Sequence, residues 1–181
     1  MYMHDNFNRF VNEIMLSESF TRVYNFERPP SFDEDEVFYK FKIQTGQDIY
    51  VQLTNEYAES VLAPDGHIMV AFGQKLKNYG GSWIKVDTEE LLNVKDSMTI
   101  LTTAVAALDD FLNTFFSSNS EDAPISISFY GGATPKEEEQ DVKLLNTKRA
   151  RIYQKIIKPV AAKYNLEIYT STDGRIELTN S

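Results

Sequence analysis

The stretch from Val37 to Leu53 constrains the chain most. Val37, Tyr39, Phe41 and Ile43 share one side of an extended backbone, with Lys40, Lys42 and Gln44 on the other. After Thr45-Gly46-Gln47-Asp48 the alternation resumes in Ile49, Val51 and Leu53. Successive side chains of a strand point to opposite faces, so this pattern predicts a β-hairpin with one buried and one wet face. The dry face needs an apolar cover, and two helical patterns supply it. Leu101, Ala104, Val105, Leu108, Phe111, Leu112 and Phe115 form a wide stripe on a helix from about Ser97 to Phe116, with Asp96 or Ser97 as N-cap. Thr102, Asp109, Asp110 and Asn113 fall outside the stripe. A second long helix is expected from about Val142 to Tyr164. Pro159 lies inside it and removes one amide donor, which predicts a kink or a break.

Shorter signals fill the remainder. His67 to Phe72 is a nearly continuous apolar run and reads as a central strand. Asn78-Tyr79-Gly80-Gly81 turns the chain before a short strand from Ser82 to Val86. Ile125, Ile127 and Phe129 alternate with Ser126, Ser128 and Tyr130 until Gly131-Gly132. The C-terminal region reads as a hairpin, Leu166 to Thr170 and Arg175 to Thr179 around Thr172-Asp173-Gly174. Near the N-terminus, Phe7, Phe10, Val11 and Ile14 have helical spacing behind Asp5 or Asn6, and Phe20 to Phe26 is a strand or an extended arm. Pro29-Pro30 and the run Asp33-Glu34-Asp35-Glu36 follow. That run lacks the alternating ligands and the glycine turn of a calcium loop and reads as a solvated loop. The expectation is one α+β domain over residues 1–181, with a mixed, mostly antiparallel sheet and two main helices. Residues 1–36 form an N-terminal helix and acidic linker, and 37–179 form the core.

Composition removes several chemistries. The chain has no Cys, which excludes disulfides, thiolate nucleophiles and Cys-ligated metal, and only two His, His4 and His67, which excludes a multi-His metal site. Neither a Gly-x-Ser-x-Gly elbow nor a Walker A loop occurs. His67 follows Asp65-Gly66 at a strand start, where it reads as a turn histidine, with action as a base the alternative. No signal-peptide pattern and no apolar run of membrane-spanning length is present, so a cytoplasmic protein without a membrane partner is expected.

The formal net charge is −9, which argues against a general nucleic-acid binder. From Val142 onward eight basic residues face three acids, so that region carries +5 and residues 1–141 carry −14. Lys148, Arg151, Lys155 and Lys158 recur along one helix face. That face is either a phosphate or nucleic-acid contact or a solvated face paired with acidic loops of the same chain. Arg149 lies on the stripe formed by Leu145, Ile152, Tyr153, Ile156 and Val160, so it must be ion-paired or line a cleft. Aromatics make up 13% of residues, more than a domain of this size buries completely, which favours a protein partner or self-association.

The order of these elements, with Asn146 and Tyr153 at the first and last positions of an Asn, Ala, aromatic motif on the second helix, resembles the GNAT (Gcn5-related N-acetyltransferase) fold over residues 37–179. Arg149 replaces the small middle residue. The resemblance implies acetyl-CoA as cosubstrate, Tyr153 as general acid to the departing thiolate, and Asn146 and Arg149 near the cofactor. The chain departs from the family at its pyrophosphate loop. Residues 87–97 hold Asp87, Glu89, Glu90 and Asp96 with one Lys and no Gly, a stretch that repels a diphosphate. Asp110-Phe111, Ser126 to Tyr130 and Arg149 to Tyr153 also resemble pieces of small uncharacterised proteins of tailed bacteriophages. The leading expectation is therefore a non-enzymatic, acidic protein-interaction module without a cofactor, a bacteriophage accessory or virion-associated protein. The alternatives are an acyl-CoA-dependent N-acetyltransferase and a nucleic-acid-binding accessory factor using helix 143–158.

Overall fold

The computed structural model describes residues 22–73, 97–130, 148–172 and 174–180, with the side chains of Ser97, Tyr130, Lys148 and Arg149 outside that description. The expected N-terminal helix, the strand at Ser82 to Val86 and both Tyr-Gly-Gly turns fall outside it in whole or in part. The fold is α+β. A seven-stranded sheet runs in the order β1-β2-β3-β4-β5-β7-β6. Its strands are β1 (Phe26–Glu27), β2 (Glu36–Lys42), β3 (Asp48–Asn55), β4 (His67–Gly73), β5 (Ser126–Tyr130), β6 (Glu167–Thr170) and β7 (Arg175–Thr179). Helix α1 (Ser97–Ser118) lies between β4 and β5 in the chain, and α2 (Lys148–Lys163) lies between β5 and β6. Every neighbouring pair is antiparallel except β4 and β5.

The alternation that predicted the hairpin sets its register. Val37 pairs with Leu53, Tyr39 with Val51 and Phe41 with Ile49, and all six are buried. Gly46 closes the turn with φ +84°, a left-handed conformation that glycine adopts without a Cβ clash. Both helices pack on this same dry face. The Tyr39 hydroxyl reaches Asp110 of α1, Phe72 of β4 meets Tyr153 of α2 edge-on at 6.2 Å, and Gln154 of α2 donates to Thr170 of β6. Residues of both helices and the whole sheet join one hydrophobic core. Before β1, the chain at Arg22–Asn25 runs as an arm along α1, where Thr102 donates to the Arg22 carbonyl and the Tyr24 amide donates to Thr103. Among the described residues of the expected segment Phe20 to Phe26, pairing begins at Phe26 and continues to Glu27.

The helix ends follow local chemistry. Helix α1 continues to Ser118, and Asn119 stops it by turning its carboxamide back to the Phe115 carbonyl while also holding the Leu62 carbonyl. At the end of α2, Asn165 takes φ +54°. The Leu166 amide then reaches the Ala161 carbonyl at 2.8 Å and the Asn165 amide reaches Ala162, which satisfies the last carbonyls as a Schellman turn. Of the kink or break expected at Pro159, the break does not occur, because α2 runs unbroken through it. Pro159 sits on an exposed flank, where water can serve the Lys155 carbonyl that loses its intrahelical donor.

Asp109 and Asp110, outside the apolar stripe in the sequence, tie the layers together. Asp110 accepts from the buried Tyr39 hydroxyl at 2.8 Å and from Arg28 Nε at 2.8 Å, while Arg28 also reaches Thr114. Asp109 accepts from Lys163 at 2.7 Å, and its backbone carbonyl accepts from the Tyr164 hydroxyl. Asp110→Ala leaves the Tyr39 hydroxyl buried without its acceptor. It is expected to lower the unfolding free energy by about 2–3 kcal/mol in chemical denaturation, most of it through Tyr39, since Arg28 is half exposed. Burial, and then the bond to Asp110, hold the Tyr39 hydroxyl well above its ordinary value of 10.0. The unfolded chain ionises this group first, so its contribution is complete below pH about 10 and is lost as pH rises further, at up to about 1.4 kcal/mol per pH unit. Tyr39→Phe should remove that share of the alkaline slope in denaturation series from pH 8 to 11.

Candidate functional site

The one parallel pair is also incomplete. The β4–β5 ladder covers His67–Ser126, Ile68–Ile127 and Met69–Ser128 and stops there. Each strand nevertheless continues along its antiparallel partner, β4 to Gly73 beside Tyr50 and β5 to Tyr130 beside Arg175. Past Met69–Ser128 the two strands therefore separate. On the helix side, the space beyond this vertex is an apolar cavity of about 30 Å³ between β4, β5, α1 and α2, with Val70, Phe72, Phe129, Ala104 and Tyr153 in its wall. That is more than the roughly 10–15 Å³ a water needs.

Backbone parity defines what faces the gap. The Ser126 amide bonds to the Gly66 carbonyl, so even-numbered residues of both strands direct their polar groups at each other. The carbonyl of Val70, both groups of Phe72 and the amide of Tyr130 have this parity and lie beyond the last paired residues. Facing strand edges of this kind accept an extended chain that carries amides.

Two features hold the vertex closed. Gly66, which enters β4, is buried, and a Cβ there would collide with the Asn55 carboxamide. Asn55 is 3% exposed, donates to the Ser60 carbonyl and accepts from the Tyr57 amide. On the sheet face away from the helices, His67 spans β4 and β5 by touching both Ser126 and Ser128.

Sequence-derived candidates are distributed unevenly. Tyr153 is buried and lines the cavity, at the position the GNAT resemblance implies for an acid. Asn146 and residues 87–96 lie outside the described residues, and Lys148 and Arg149 are described only as backbone in the first turn of α2. The expected basic face is not uniform. Lys158 is exposed, Arg151 is half-buried, and half-buried Lys155 lines a groove between α1 and α2 with Val23, Asp109 and Lys163. The buried face of α2 is centred on Ala150, Tyr153, Ile157, Val160 and Ala161, while Ile152 and Ile156 flank it. His67 is the residue that sequence reasoning undervalued. Its partners are serines far along the chain, and the one legible signal was alternation of Ser126 and Ser128 with buried Ile127.

Among the described residues no group of three or more His, Asp or Glu is placed to hold a metal ion, and no helix is long and apolar enough to cross a membrane. No protein-family model, curated protein or solved structure matches the chain.

Gly66→Ala is expected to cost about 2–3 kcal/mol in chemical denaturation, because the new methyl displaces a buried, hydrogen-bonded side chain. Combining it with Asn55→Ala should cost clearly less than the sum of the two single changes, since the first collision vanishes with the second side chain.

Proposed function

We propose that this chain is an acyl-CoA-dependent N-acyltransferase of GNAT-like fold that holds its donor thioester between β4 and β5. The observation that carries this reading is the ladder's end at Met69–Ser128, beside a small apolar cavity walled by Tyr153. The strand order β1-β2-β3-β4-β5-β7-β6, with its single parallel pair at β4–β5, supports the same resemblance. The amide-bearing arm of such a donor suits the backbone groups of Val70, Phe72 and Tyr130 that face the gap. The thioester supplies the activated acyl group. Tyr153 stands on the helix side of the gap to give a proton to the departing sulfur. Val70, Phe72 and Phe129 exclude water, which would otherwise compete with an amine for the acyl group.

The four acids of residues 87–97 add no attraction for a diphosphate. Calorimetry should therefore show acetyl-CoA and S-acetylpantetheine binding with affinities within about tenfold of one another. Tyr153→Phe should keep that affinity and lower kcat toward a primary amine by about 100-fold. Absence of heat with both donors at millimolar concentration overturns this reading.

One observation favours the protein-interaction module as a second reading. The sheet face that neither described helix covers carries Met69 and Tyr169, 43% and 51% exposed, and Tyr57 beside it is 78% exposed. Light scattering tests self-association through this face. A concentration-dependent dimer lost in Met69→Glu/Tyr169→Glu supports this second reading, and a monomer at all concentrations removes the self-association form of it. The bacteriophage origin rests on the sequence resemblance alone.

A further inference from the structure

The chain Glu177–Ser126–His67–Ser128 crosses three strands on the sheet face opposite Tyr153, and its protons can be counted. Ser126 donates its only hydroxyl proton to Glu177 Oε1 at 2.6 Å. Toward His67 Nδ1, 2.9 Å away, Ser126 must then accept, so Nδ1 carries the imidazole proton. In the neutral ring Nε2 is bare, and at 2.8 Å from Ser128 Oγ it accepts that hydroxyl's proton. A hydroxyl bonded to a bare imidazole nitrogen, whose other nitrogen is held by a carboxylate-anchored partner, is the arrangement of an activated nucleophile and its base. The backbone fixes it. His67 pairs with Ser126 and Met69 with Ser128 across β4–β5, while Ser128 pairs with Glu177 across β5–β7.

The position matters as much as the bonds. Ser128 is the last β5 residue paired with β4, at the vertex where the strands separate. It is 3% exposed, so bulk water scarcely reaches it. The Tyr130 amide, next of the same parity along β5, points into that gap as a donor for a carbonyl oxygen. Glu56, with Oε2 4.0 Å from His67 Nε2, and the Tyr57 ring flank the imidazole on its outer side.

We infer that Ser128 is an acyl-accepting nucleophile, with His67 as its general base and Ser126 and Glu177 as positioning residues, and that it takes short acyl groups from esters or thioesters. Only the choice of a thioester rests on the function proposed above. Ser128 Oγ attacks the acyl carbonyl carbon as its proton passes to His67 Nε2. The bond from carbonyl carbon to the leaving oxygen or sulfur breaks with its electron pair, and in this step His67, not Tyr153 on the other sheet face, returns the proton to the leaving group. The products are an acyl ester on Ser128 and a free alcohol or thiol. An amine or water then attacks the ester carbonyl and gives a proton to His67; the bond to Ser128 Oγ breaks with its electron pair, and His67 passes the proton to Oγ, leaving an amide or a free acid and the original serine.

The test uses the full chain with p-nitrophenyl acetate, which needs no coenzyme A site, and in parallel with S-acetylpantetheine. Release of nitrophenolate is followed by absorbance, and the adduct by intact mass and fragment mapping. One acetyl group is expected on the fragment holding Ser128. Ser128→Ala abolishes it without loss of helical signal or of the thermal midpoint. Ser128→Cys, the only thiol in a chain without Cys, gives a thioester at the same position. His67→Gln lowers the acylation rate by about 100-fold, and imidazole added to His67→Gly restores part of it, which a merely structural histidine would not show. Ser126→Ala and Glu177→Gln lower the rate by about tenfold and leave the adduct on Ser128, and Ser126→Thr restores the rate. No ester on the folded native chain, or an adduct that survives Ser128→Ala, overturns the inference. Calorimetric binding of acetyl-CoA without a Ser128 ester sinks this inference and leaves the earlier reading standing. A Ser128 ester without acetyl-CoA heat does the reverse.

Discussion

Parallel strands cannot be joined by a tight turn, and the rest of the molecule is arranged around that constraint. β4 ends at Gly73 and β5 begins at Ser126, with α1 between them in the chain. That helix is therefore committed to the dry face, where Phe111, Leu112 and Phe115 are fully buried. Among the described residues, the parallel junction is also where the sheet stops pairing while both of its strands continue. Cavity, open backbone edge and His67 cluster all gather at this junction because the topology leaves it unfinished.

Polar groups set into the helical layer keep that layer in register. The apolar stripe of α1 alone would tolerate small rotations over the sheet. Asp110 removes that freedom, because the buried Tyr39 hydroxyl needs one acceptor in one place. Asp109 does the same between the helices through Lys163 and the Tyr164 hydroxyl, whose ring stacks on Phe116. The acidic run before β2 has a modest role. Asp33, Glu34 and Asp35 are exposed, while the carbonyls of Glu34 and Asp35 receive the Val61 and Asn55 amides and pin the following loop.

Much of the architecture was legible because periodicity maps directly onto burial. The β2–β3 hairpin, the central β4, the stripe of α1 and the C-terminal hairpin were all readable at nearly their observed bounds. The unbroken α2 was not, since an exposed proline can shed its lost bond to water, which a pattern of residue types does not record. The candidate site was legible through Tyr153 and, as the alternative to a turn histidine, through His67. Its other parts depend on where a ladder ends, and on His67 meeting serines 59 and 61 positions away. Neither leaves a local mark, because a strand that stops pairing and one that continues have the same alternation. Asp109 and Asp110 do lie outside the apolar stripe, as expected, but their partners left no mark in the sequence for a related reason. A charged residue at the edge of a helical stripe looks solvated until the tyrosine that needs it arrives from another strand.

The strand order has a consequence for how the molecule is made. The strand latest in the chain, β7, is not at the edge of the sheet but lies between β5 and β6. While the polypeptide emerges from the ribosome, β5 has one finished side along β4 and one bare edge, and β6 has nothing to pair with. Neither can settle until Arg175–Thr179 slides between them. The half of the sheet that carries Ser126 and Ser128 is thus the last to acquire order, and through that interval its unpaired strands are the region most exposed to misassembly with other chains.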